Sequence, residues 1–171
     1  MKFFRILLLI AFIAPLSAQA QDKSVETVIR DMTMLHCIAP LFVGDDIARI
    51  ARQQGLIEFP PEAAAKFLKD EKGAVFATKE APGYIVLKAL DNGVCQIFIR
   101  EADSEKLWAL LDNAFDPQIS PWELVKEEIK DDMIAKSYRT NRNGEIAAFI
   151  SVSNEPRKNA PQAVITISRV Q

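Results

Sequence analysis

The chain has 171 residues, 49% of them hydrophobic, with 21 Lys and Arg against 23 Asp and Glu and a single histidine. A net charge of −2 without a basic stripe suits neither a phosphate backbone nor an anionic membrane surface, so nucleic acid and lipid headgroups are set aside as partners. One imidazole leaves a Ser-His-Asp or Cys-His constellation nothing else to draw on, and zinc would lack its usual three or four ligands.

The first twenty residues, MKFFRILLLIAFIAPLSAQA, follow the order of a secretory signal peptide: Lys2 and Arg5, an apolar run from Ile6 to Leu16, then small residues at Ala18 and Ala20. Cleavage is expected between Ala20 and Gln21. The apolar run is short for a permanent membrane helix, and no cysteine stands at the cleavage point to take a lipid. The expected location is therefore periplasmic or secreted, without a permanent membrane anchor. Lys2 and Arg5 leave with the leader, so 21 basic residues fall to 19 against 23 acidic ones and the net charge becomes −4. Residues 21–171 suit a single domain with a real core.

Ser24 caps a predicted first helix with Val25, Val28, Ile29, Met32 and Leu35 at helical spacing; Pro40 cannot continue it, which places its end near Cys37. Asp45 or Asp46 caps a short second helix carrying Ile47, Ile50 and Ala51, closed by Gly55. Pro60 and Pro61 open a third, which runs to Gly73. There the period changes from 3.6 to 2.

Residues 74–80, 83–90 and 94–101 are predicted strands, rich in β-branched and aromatic side chains. Asn92-Gly93 between the last two predicts a two-residue hairpin loop. Asp103 or Ser104 caps a helix over 104–115, whose Leu107, Leu110, Leu111 and Phe115 form a stripe suited to cover a sheet. In 120–130 the alternation of Trp122 and Leu124 among charges favours an edge strand, with Ser120-Pro121-Glu123 as a competing helix start. Asn143-Gly144 predicts a second hairpin between 133–141 and 145–153, and 163–170 a last strand after a polar loop. The expected fold class is α+β: N-terminal helices packed on an antiparallel β-sheet built from hairpins, with the 104–115 helix covering it.

Two cysteines in an exported chain predict one disulfide, Cys37 to Cys95, closing a loop of 58 residues. By chain entropy such a closure stabilises by about 4 kcal/mol. Because neighbours on a helix point about 100° apart, His36 is not placed to activate Cys37.

Asp45 and Asp46 stand where a helix cap belongs, and Glu127, Glu128, Asp131 and Asp132 lack the spacing of a calcium loop. No phosphate-binding glycine loop or nucleophile elbow occurs, so no catalytic, cofactor-binding or metal residues are assigned and no cofactor is expected. Among Tyr84, Phe98, Trp108, Trp122, Tyr138 and Phe149, Trp122 is singled out as the displayed interface residue, beside Pro121 in charged surroundings.

The functional expectation is an exported, non-enzymatic protein that binds another protein, of the inhibitor or toxin-immunity type. Its acidic balance points to a basic partner. The alternatives are a small envelope hydrolase using Asp45, Asp46, Glu127 or Asp132, and an envelope-assembly or secretion-apparatus subunit working through strand edges.

Overall fold

The computed structural model of the chain describes residues 23–81, 83–118, 120–140 and 145–170. The leader over 1–20 and the Asn143-Gly144 turn lie outside the described residues.

Ser24 caps α1 (Val25–Asp31) as expected, its hydroxyl accepting from the Thr27 N–H at 3.2 Å. The helical path does not end at Cys37, however. It passes through a π-helical stretch, Met32–Ile38, into α2 (Ala39–Val43), with Gly44 as its cap. The expectation failed because Pro40 obstructs only α-geometry, where it clashes with the carbonyl four residues back. The wider turn, marked by the Ala39 N–H bonding the Met34 carbonyl, lets the path continue past the ring. Asp46 caps α3 (Ile47–Gln53), accepting from the Arg49 N–H. The next helix, α4 (Pro61–Leu68), stops short of Gly73 because Lys69 turns out of helical geometry at φ 54°.

Gly73 instead opens a strand, β2 (Gly73–Ala77), after a two-residue β1 (Ile57–Glu58) that the sequence pattern did not announce. A Cβ on Gly73 would lie 2.1 Å from the Ala89 carbonyl oxygen, so only glycine fits this close pairing. β3 (Ile85–Leu90) and β4 (Cys95–Ile99) follow. Their turn differs from the expected two-residue form. The Gly93 N–H bonds the Leu90 carbonyl at 3.0 Å and the Leu90 N–H the Val94 carbonyl at 2.9 Å, giving a three-residue loop with only Gly93 at positive φ, 81°. Asn92 contributes its side chain, which accepts from the Val94 N–H.

Asp103 caps α5 (Ser104–Ala114), close to the predicted 104–115. β5 (Trp122–Lys130) is the strand that alternation favoured. β6 (Met133–Thr140), β7 (Ile146–Ser153) and β8 (Ala163–Arg169) complete one antiparallel sheet in the order β1-β2-β3-β4-β8-β7-β6-β5. The fold is α+β, as expected.

Pairing register sorts side chains onto two faces. Leu87, Ile97, Ile165 and Ile150 stand opposite one another across β3, β4, β8 and β7, all fully buried. This is the inner face, covered by the α1–α2 path, α3 and α5. Cys37, in the π-helical stretch, is bonded to Cys95 on the inner face of β4, both fully buried. Among the described residues, the helix on the opposite, outer face is α4, beside β2 to β4, where Phe67 packs on Phe98. Among the described residues no helix is long and apolar enough to cross a membrane.

Candidate functional site

Trp122 is not displayed. It is 1% exposed, packed against Phe115 at 4.8 Å between ring centroids and against Phe42 at 6.4 Å. The charged neighbourhood read from sequence belongs to the rest of β5; Trp122 itself starts the strand on its inner face, beneath the end of α5. Tyr84 and Phe149 are the aromatics held at the surface, 44% and 45% exposed.

The carboxylates offered for a hydrolase do not converge. Asp45 and Asp46 sit at the start of α3, which packs on β2 and β3, whereas Glu127 and Asp132 lie on β5 and its turn. From β3 to β5 is five strand steps, about 24 Å at ordinary sheet spacing. Asp45, Asp46 and Asp132 also have structural work. Asp45 pairs with Arg49, and Asp46 caps α3. Asp131 and Asp132 close a two-residue hairpin, with Asp131 at φ 54° and Asp132 accepting from Ser153 Oγ at 2.5 Å. These bonds hold the Asp45 and Asp132 carboxyls below their ordinary range, chiefly through Arg49 and Ser153 respectively. A general acid requires the opposite shift.

A groove of about 780 Å³ lies on the outer face, bounded by α4, β3 and β4. Alternation builds it: Leu87 and Ile97 point inward, which sends Val86, Lys88, Gln96 and Phe98 to its floor. Phe67 from α4 and Tyr84 ahead of β3 form apolar walls. Lys66, Lys69 and Arg100 line the same groove with no ion-pair or hydrogen-bond partner for their side chains among the described residues. Lys88 differs. Its side chain is 6% exposed and its ammonium pairs with Glu71, which is half-exposed at 52%. Four cations against one carboxylate give this groove the opposite sign to the chain as a whole.

A second cleft, about 390 Å³, opens beside the π-helical stretch and contains His36. The imidazole is 8% exposed, and its Nδ1 is buried without a hydrogen-bond partner. Burial pushes its pKa below the ordinary 6.5, partly opposed by the Glu80 carboxylate. Among the described residues no group of three or more His, Cys, Asp or Glu is placed to hold a metal ion.

Sequence reasoning missed both concavities. Comparison of the chain with protein-family models, curated proteins and solved structures found no match.

Proposed function

We propose that this chain is an exported, non-enzymatic recognition domain of the inhibitor or immunity type. It takes an acidic segment of a partner protein, bearing an aromatic or aliphatic side chain, into the groove beneath α4. The observation that carries this is the set of unpaired cations, Lys66, Lys69 and Arg100, gathered around Phe67, Tyr84 and Phe98. Unpaired cations beside apolar walls favour a ligand that brings both a carboxylate and a side chain to bury. The net charge of the chain pointed to a basic partner; the groove, where contact would occur, favours an acidic one.

Export is supported by the order of the N-terminal residues and by the disulfide, which persists best in an oxidising compartment. The β5 edge is a weaker docking candidate. A bulge between Leu124 and Lys126 and a run of charges blunt it, the usual devices against strand addition.

The test is titration of the oxidised protein with two short probe peptides, one alternating Glu and Phe and one alternating Lys and Phe. Binding is expected for the first alone, weakening with added salt and at least tenfold in Lys66→Glu and Arg100→Glu. Preference for the Lys peptide, or indifference to both substitutions, refutes the reading.

A further inference from the structure

We infer that Lys88 is the specificity-determining residue of the groove, and that Glu71 is an internal stand-in which an acidic side chain of the partner displaces from it. The inference rests on the proposed groove and names the contact at which its ligand is chosen.

Among the described residues Lys88 is the one buried lysine or arginine. Its backbone pairs on both sides, with Val75 of β2 and Gln96 of β4, so the strand holds the side chain on the floor of the groove. A buried ammonium without a counter-charge is costly, and here the ion-pair partner is Glu71. Val86, two residues away on the same face, shows that the floor accepts an apolar side chain. Replacing a buried ion pair by apolar residues of similar volume is often neutral or stabilising. Stability alone therefore gives no reason for a lysine at this position. An incoming carboxylate does.

Glu71 is suited to leave. Its side chain is half-exposed, on the segment between the end of α4 and the start of β2. The backbone there is fixed without the ion pair: the Glu71 N–H donates to the Leu68 carbonyl at 2.9 Å, and the Lys72 carbonyl accepts from the Asp91 N–H at 3.1 Å. Side-chain rotation is then enough to uncover the ammonium. Because the exchange sets one carboxylate in place of another on the same cation, the desolvation of Lys88, already met in the free protein, is not incurred again on binding. A neutral or cationic segment could not displace Glu71 without stranding Lys88, so the pair also rejects the wrong ligand.

The test uses the whole oxidised protein and the alternating Glu and Phe peptide. Glu71→Gln keeps a neutral acceptor beside the ammonium and should bind the peptide at least tenfold more tightly than the wild type. That ratio should survive about 0.5 M salt, since a buried pair is screened far less than charges on an exposed rim. Lys88→Met should weaken binding at least tenfold, and adding Glu71→Gln to it should recover little of the loss at the same salt. In the wild type, the carboxyl carbon resonance that Glu71→Gln removes from the NMR spectrum should move saturably as peptide is added. Wild-type binding with no gain in Glu71→Gln, with a gain lost in salt, or with an unmoved Glu71 resonance overturns the displacement and leaves the groove reading intact. Full affinity in Lys88→Met overturns the role of Lys88. Absence of binding in the wild type and Glu71→Gln alike refutes the groove reading itself, and this inference with it.

Discussion

The two ends of the sheet obey different rules. Around β3 the chain is covered on both faces, by α3 within and α4 without, and nearly every residue of β3 is buried, Lys88 included. At the other end β5 is exposed at every position after Trp122, with Ile129 72% and Val125 62% exposed. Between them, β7 and β8 alternate buried and open positions, as strands covered on one face do. Burial pattern therefore reports coverage strand by strand. The staple belongs to the covered end, and so does the groove, since its walls need a second layer to stand on.

That contrast can be broken most directly at the disulfide. Replacing both cysteines, Cys37→Ala with Cys95→Ala, should cost about 4 kcal/mol in urea unfolding; an unchanged midpoint would mean that packing alone holds the first helical path to β4. Trp122→Ala should cost about 3 kcal/mol, because it empties the contact among Phe42, Phe115 and β5. A loss below 1 kcal/mol would show that the open end tolerates a missing anchor.

Glu71→Ala should destabilise by about 1–2 kcal/mol by leaving the Lys88 ammonium buried and unpaired, whereas Lys88→Met should cost less. The reverse order would show that the pair itself, rather than the stranded charge, matters. A shallower effect is expected with pH. Since burial holds the His36 pKa below 6.5, the unfolded chain takes up the proton first as pH falls through that value. Stability should then be greatest above about pH 7 and decline towards pH 5, and the decline should be reduced in His36→Gln. Smallest of all, Ile129→Thr on the exposed strand should change stability by under about 0.5 kcal/mol.

How far the chain could be read varied by feature. The disulfide was legible because only two cysteines exist, which leaves one pairing within the chain. α5 and the strands other than β1 were legible because period and caps are local. Trp122 misled because its sequence neighbours are charged, while its contacts, Phe42 and Phe115, come from α2 and the end of α5. The groove was invisible: Lys66 rides a helix, Lys69 is the residue after it, Lys88 lies on a strand and Arg100 is the residue after another, and singly each reads as a solvated charge. His36 drew notice for its neighbour Cys37, whereas the carboxylate that acts on its imidazole, Glu80, lies far along the chain.

By itself the sequence determined the local matters: where helices are capped, where strands alternate, which sulfurs are available to pair, and the N-terminal order that argues for export. These follow from backbone preference and periodicity, which act over a few residues. Only tertiary structure decided that Pro40 is passed by a π-turn, that α4 lies over one end of the outer sheet face, and that cations unpaired among the described residues share a groove. Those outcomes depend on which distant surfaces meet, and on the desolvation and charge pairing that contact imposes.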